Sequence, residues 1–285
     1  MTKRDIYYRH PDLFIKQAVV DRYVDDLACT FGITRAQLNV TAAAKGLVAG
    51  NFTLIGEHGY EVNGMNEKEV RDKYEDNFAT FRSLLSSSQW EVLGPHGVIL
   101  TAKGYPDIAS RRFLRQLADH ASHIPMYVFV DLDPDGIAIL STYKYGSYRL
   151  AHEDVVLKDT PALSLPDIRW LGVKSHHISR TPVGESDTGT NSIAELQGLM
   201  KLSPRDRTKA ARMLEWDLCA EDGPEQGWRQ ELQRMLMVNI KAEMQILDEL
   251  PGGLVSWLSD ELDQASRQKG GHLIDTACSD DGMLF

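Results

Sequence analysis

Cysteine is scarce in this chain of 285 residues: Cys29, Cys219 and Cys278 are odd in number, far apart, and form no CxxC pair. That excludes a disulfide framework or a cysteine-paired zinc site and fits a reducing compartment. Long apolar runs are missing too. None approaches the ~20 residues that span a bilayer, so no membrane segment is expected. The opening residues lack the charged-then-apolar layout of a secretory leader. There is no GxxxxGK[ST] loop, no dense basic run, no repeat and no low-complexity tract. Positive charge is also short, with 31 Lys and Arg against 41 Asp and Glu, a net of −10. Taken alone, that balance describes an ordinary acidic protein and disfavours a nucleic-acid binder. The deficit is uneven, however. Residues 1–56 carry a net of +2, which leaves −12 for the remainder.

What is present is enough apolar residue, 42%, for one large core or two ordinary ones. Asp12, after Pro11, is expected to cap an amphipathic helix over residues 13–30 that Gly32 ends. A short helix over 34–38 and two short strands, 38–40 and 46–48, complete the pattern of a winged helix, or of a generic α/β fragment. Residues 57–77 read as a linker or irregular insertion. From residue 78 helix and strand alternate. Helices are expected over 78–87, 110–121 and 136–143, and buried strands over 97–101, 126–130 and 168–173. Continuous apolar strands between helices mean a mostly parallel sheet. Ser203 and Pro204 open a helix over 207–215. A long helix is expected over 227–250, with Leu232, Leu236, Ile240, Met244 and Leu247 as a core stripe. Residues 264–285 are polar and expected to fray. The fold class is α/β, or α+β overall.

Two segments carry chemistry. The strand Tyr127-Val-Phe-Val runs into Asp131-Leu-Asp133-Pro-Asp135-Gly136. Ligands of open α/β sheets bind at the carboxyl ends of strands, and two carboxylates at this spacing suit Mg²⁺. The competing reading is a surface turn of helix-capping aspartates, with Asp135 the cap of the next helix. The second segment is Lys3-Arg4-Asp5-Ile6-Tyr7-Tyr8. A tyrosine phenol has a pKa near 10 and needs help to attack. Arg4 lies one helical turn before Tyr8 and could stabilise the phenolate or the transition state. Tyr7 is the competing nucleophile, and both could be packing aromatics; His10 reads as structural or exposed. Lys103-Gly104-Tyr105-Pro106-Asp107, followed by Arg111 and Arg112, offers a phosphate a helix N-terminus and cations, or is an ordinary turn. Lys45 on the expected wing suits a phosphate contact. Nucleophile, cation and metal site together point to phosphodiester chemistry.

Arg4-Asp-Ile-Tyr-Tyr8, Lys45-Gly-Leu-Val-Ala-Gly50, Lys103-Gly-Tyr-Pro-Asp107, Asp131-Leu-Asp-Pro-Asp-Gly136, Tyr143-Lys-Tyr-Gly-Ser147 and Leu202-Ser-Pro-Arg-Asp-Arg207 occur in one order. In that order they resemble the eukaryotic meiotic double-strand-break transesterase. That family is homologous to the catalytic subunit of archaeal DNA topoisomerase VI, the ATP-dependent type IIB class. The resemblance covers nearly the whole chain.

It implies a winged-helix DNA-binding domain carrying the catalytic tyrosine over 1–56, and a Toprim metal-binding domain with C-terminal helices over 78–285. Tyr8 matches the nucleophile, Arg4 its arginine, and Asp131 and Asp133 the Mg²⁺ ligands. Asp76 falls where the family has a metal-binding glutamate, before Ala79-Thr80-Phe81; the apolar strand that should precede it is missing. Lys45, Lys103 and Arg111 are the expected DNA contacts. Two copies would cut double-stranded DNA, each leaving a 5′-phosphotyrosyl link, with the site formed between the two copies. The implied partners are a second copy, a topoisomerase VI B-like partner that would supply the ATP site, and other meiotic break factors. The implied location is the nucleus. The alternative is a non-catalytic DNA-binding or scaffold paralogue, or an incomplete gene product, without a working metal site.

Overall fold

The computed structural model describes residues 3–33, 37–40, 46–55, 59, 61–65, 81, 84–88, 90–146, 163–178, 198–249 and 252–274. Three helices open the chain: α1 (Lys3–Arg9), α2 (Pro11–Phe14) and α3 (Gln17–Phe31). The single helix expected over 13–30 is broken. Proline at the first position restarts the helix at residue 11, with His10 rather than Asp12 at the cap position. The chain then turns at Ile15, whose φ is 59°. A β-branched residue pays for that conformation. Helix α3 buries Val20, Val24 and Ala28 on one face. It stops where expected, because Gly32 takes the left-handed conformation at φ 62° and donates its N–H back to Ala28 and Cys29.

The winged helix over 1–56 is not established. Residues 37–39 form a turn rather than a strand, and residues 34–36 lie outside the described residues. Strand β1 (Leu47–Gly50) forms, but it pairs antiparallel with β4 (Val98–Thr101), Val48 opposite Leu100. The expected parallel partnership of 97–101 gives way to this pairing. Within the stretch read as a linker, β3 (Glu61–Asn63) makes an antiparallel hairpin with β2 (Thr53–Ile55). Of the helix expected over 78–87, residues 81, 84 and 85 are helical and most of the others lie outside the described residues. Leu47, Ala49, Phe81 and Trp90, the last in α4 (Trp90–Leu93), pack as a small core.

The larger core lies in the second half. There α5 (Ile108–His120), β5 (Tyr127–Phe129), α6 (Pro134–Tyr145) and β6 (Arg169–Gly172) follow the expected alternation. β5 and β6 are parallel, Tyr127 opposite Arg169. After the short α7 (Ser175–Ile178) come β7 (Leu199–Lys201), α8 (Pro204–Leu214), α9 (Gln226–Val238), β8 (Ile240–Ala242) and α10 (Gly253–Ile274). Val128, Ile137, Leu171, Val173, Leu232 and Leu247 meet in one buried cluster.

The helix expected over 227–250 ends at Val238, because Asn239 adopts φ 57°, ψ 39°. Asparagine tolerates this left-handed cap better than most residues. Ile240 and Met244 therefore do not extend a helical stripe. β8 pairs antiparallel with β7, and Met244–Glu249 is a 3₁₀ turn. The tail expected to fray is helical to Ile274, with residues 275–285 outside the described residues. Among the described residues no helix is long and apolar enough to cross a membrane.

Candidate active site

Strand β5 delivers Asp131 and Asp133 from its carboxyl end. Val130 donates to the Gly172 carbonyl at 2.8 Å and Val173 donates to the Val130 carbonyl at 2.6 Å, so the ladder runs to the residue before the acids. Leu132, 2% exposed, exchanges hydrogen bonds with Ala242 of β8 at 2.8 and 3.1 Å. With Leu132 pinned inwards, alternation along an extended chain places its two neighbours on one side.

Asp131 Oδ1 accepts the Met244 N–H at 2.8 Å. Asp133 Oδ1 accepts the Gly136 N–H at 2.6 Å and caps α6, with Pro134 at the first helical position. The cap is therefore Asp133, not Asp135: residue 133 is extended at φ −148°, ψ 169°, as a cap requires. Among the described residues, the second oxygen of each carboxylate accepts no hydrogen bond.

Burial pushes the Asp131 carboxyl up to about 6, and the neighbouring Asp133 charge adds to the rise. Burial raises Asp133 as well. Lys241 pulls both back, but it is ion-paired to Asp206 at 3.0 Å. Two partly desolvated carboxylates, each with a second oxygen that accepts no hydrogen bond among the described residues, fit a hard divalent cation that keeps several waters. Among the described residues there is no group of three or more His, Cys, Asp or Glu placed to hold a metal, so the pair stands alone there. Asp76 lies outside the described residues.

The turn after β4 is irregular. Lys103 and Gly104 both have positive φ, 57° and 92°, and Asp107 caps α5 by accepting the Ser110 N–H at 2.7 Å. Lys103 is half-buried and Arg112 exposed. Arg111 is only 1% exposed, so its guanidinium lies inside the fold rather than at a surface open to phosphate. Lys45 lies outside the described residues.

Tyr8 is 70% exposed on α1. Tyr7 packs beside it and donates its hydroxyl to the Ile15 carbonyl at 3.3 Å. Position 4 lies on the same helix one turn earlier; the Arg4 side chain is outside the described residues. The Tyr143-to-Ser147 motif serves packing as far as it is described. Tyr143 is buried, Lys144 pairs with Glu225, and Tyr145 donates to Glu225 at 2.5 Å with its ring edge-on to Trp228. Burial and Glu225 push the Tyr145 phenol up.

Sequence reasoning missed Met244, Lys241 and Lys209, which reach the acidic turn from distant segments. Arg205 and Lys209, four apart on α8, were the one available signal of a basic helix face.

The family model for the Toprim domain of the topoisomerase 6 A chain and Spo11 matches residues 76–256, and the one for type IIB DNA topoisomerase matches residues 1–40. The chain is 34% identical to meiotic recombination protein SPO11-1 of Oryza sativa, over 95% of this chain and 70% of that protein. It is 32% identical to human meiotic recombination protein SPO11, over 90% of this chain and 63% of that protein. The topoisomerase 6 A protein of Arabidopsis thaliana is 32% identical, over 87% of this chain and 57% of that protein.

Proposed function

The chain belongs to the Spo11/topoisomerase VI A family of DNA-cleaving type IIB enzymes, and from that premise we propose that it cuts double-stranded DNA by tyrosyl transesterification to initiate meiotic recombination. The observation that carries the reading is the Asp131–Asp133 pair: half-buried, raised in pKa, at the end of a core strand, and each with a second oxygen that accepts no hydrogen bond among the described residues. That is a donor set for Mg²⁺.

In this reading the Tyr8 phenol oxygen attacks a backbone phosphorus. The phenol gives up its proton as an O–P bond forms to the tyrosine, the P–O3′ bond breaks, and the leaving 3′ oxygen takes up a proton in its place. The 5′ phosphate stays on Tyr8. The exposure of Tyr8 supports this role, since a duplex must reach it. Arg4, one turn away, offsets charge on the phosphate as it becomes pentavalent. Asp131 and Asp133 would hold Mg²⁺, which supplies positive charge at the phosphate oxygens. Asp76 is proposed as a third acid. Lys45, Lys103 and Arg111 are proposed to face the backbone; for Arg111, buried here, that requires the turn to open.

Residues 1–56 would be the DNA-binding unit, 57–77 a connection and 78–285 the Toprim unit with its helices. Two copies, a topoisomerase VI B-like partner and other meiotic break factors would complete the assembly in the nucleus. The test is to incubate the full chain with a 3′-labelled duplex and Mg²⁺ and to look for label on denatured protein, since the fragment held through its 5′ phosphate is the one that runs to the 3′ end. Adduct in the wild type and none in Tyr8→Phe supports the reading. A wild type that binds duplex without forming adduct would replace it with a non-catalytic DNA-binding role.

A further inference from the structure

One contact joins three segments that the sequence keeps far apart. The Lys209 ammonium, on α8, donates to the Tyr105 hydroxyl at 2.8 Å and is ion-paired with Asp135. Tyr105 in turn donates to Asp135 Oδ1 at 3.0 Å, and the Lys209 ammonium lies 5.5 Å from the Tyr105 ring centroid. The closed triangle ties together the turn after β4, the first turn of α6 and the middle of α8.

Its position gives it significance. Tyr105 follows Lys103 and Gly104, the two left-handed residues that reverse the chain. A non-glycine residue at positive φ is sparsely populated, so such a turn needs an anchor to persist. Asp135 is in the same turn as Asp133, whose carboxylate caps α6.

Helix α8 also grips the acidic turn from its other side. Asp206, in the capping box with Ser203, pairs with Lys241 of β8 at 3.0 Å. β8 runs on to Met244, whose N–H holds Asp131. One helix therefore braces both ends of the segment 131–135, through Lys209 on one side and Asp206 on the other.

We propose that Lys209 is a positioning residue that latches the Lys103–Tyr105 turn to the first turn of α6, so that the DNA-facing turn and the metal-facing carboxylates are held as one unit. The proposal rests on the metal reading of Asp131 and Asp133 given above. Lys209 touches neither metal nor phosphate. It acts through Tyr105 and Asp135, as outer groups that orient metal ligands do. Arginine at this position keeps a cation for Asp135, whereas methionine keeps the stem and removes all three donors.

The full chain, as wild type, Lys209→Met, Lys209→Arg and Tyr105→Phe, would be compared by hydrogen–deuterium exchange and by Mn²⁺ titration followed by electron paramagnetic resonance. In Lys209→Met, exchange should rise together at residues 103–107 and 133–137, leave the β5–β6 pair unchanged, and be accompanied by Mn²⁺ binding weakened roughly tenfold or more. Lys209→Arg should restore most of both. Tyr105→Phe should free 103–107, and adding it to Lys209→Met should cost little more. Unchanged exchange in Lys209→Met, or additive losses in the double variant, overturns the latch. So does unchanged Mn²⁺ affinity in Lys209→Met when Asp131→Asn abolishes binding. A wild type that binds no Mn²⁺ overturns the metal reading, and the positioning role falls with it.

Discussion

Tyr7 and Tyr8 meet edge to face, their ring centroids 5.4 Å apart, yet they stand in different surroundings. Tyr7 ties α1 to the break between α2 and α3 by donating to the Ile15 carbonyl, while Tyr8 is 70% exposed. Adjacent positions on a helix point about 100° apart, so one ring can brace the helices and the other can be offered to a substrate.

Single substitutions should separate the two roles. Tyr8→Phe should abolish covalent adduct and shift stability by less than ~0.5 kcal/mol. Tyr7→Phe should keep the adduct and cost about 1 kcal/mol, the worth of one hydrogen bond. Denaturing gels for adduct and thermal melts for stability read the two effects. Adduct surviving in Tyr8→Phe but lost in Tyr7→Phe would transfer the nucleophile to Tyr7.

Asp131 predicts a pH dependence with opposite signs for stability and metal binding. Its carboxyl is raised to about 6 in the folded chain, against ~3.9 for an unperturbed aspartate. The folded state holds that proton more tightly than the unfolded state. In the absence of a divalent cation, this group's contribution is therefore full below the unfolded value and is lost as pH rises through about 6. Cation binding needs the ionised form, so Mn²⁺ affinity should fall as pH drops through the same range. Asp135 and Asp206 are lowered and act in the opposite sense, so the reading must be a difference. The wild type minus Asp131→Asn, melted from about pH 4 to about pH 8 with chelator, isolates it. A flat difference would mean that Asp131 is solvated.

The parts of this fold that were legible in the sequence are those fixed locally. Gly32 ends α3, Ser203 and Pro204 start α8, and the apolar runs mark β5 and β6. The acidic turn was readable because both carboxylates come from one segment. What could not be read depends on partners remote in sequence. β1 and β4 pair across about fifty residues, and nothing in either run distinguishes an antiparallel partner from a parallel one. Asn239 stops α9 by a backbone choice that the apolar spacing of Leu236, Ile240 and Met244 contradicts. There strand pairing with β7 overrides helical periodicity. Lys209 and Met244 join the site through contacts 74 and 113 residues away in sequence, which no local pattern encodes.

The brace from α8 should be measurable at its N-terminal cap. Ser203 Oγ accepts the Asp206 N–H at 3.2 Å, and Asp206 Oδ2 accepts the Ser203 N–H at 3.0 Å while also holding Lys241. Ser203→Ala removes one half of this box and should cost about 1 kcal/mol. Asp206→Ala removes the other half and the Lys241 pair as well, so it should cost more and also disturb Mn²⁺ binding at Asp131. Urea melts and a metal titration on both variants decide it. Equal losses in the two would show that the Lys241 pair contributes nothing to the site.

Gly136 is the position where the acidic turn tolerates least. Its N–H caps onto Asp133, and a Cβ added there would lie 2.2 Å from the Asp131 carbonyl oxygen. That oxygen is backbone at the end of a core strand, so it cannot step aside as a flexible side chain could. Either α6 shifts away from β5, losing the Asp133 cap, or the Asp131 peptide rotates and moves the carboxylate. Gly136→Ala should therefore destabilise the chain by about 1–3 kcal/mol, in the range of overpacked cores. It should also lower Mn²⁺ affinity out of proportion to that loss, because both routes displace a ligand. Gly227→Ala is the control. Gly227 also lies in the first turn of a helix, but nothing stands within 4 Å of an added Cβ there. Gly136→Ala with Mn²⁺ affinity matching Gly227→Ala would show that the turn can relax without moving its carboxylates, and that their geometry is less constrained than the packing implies.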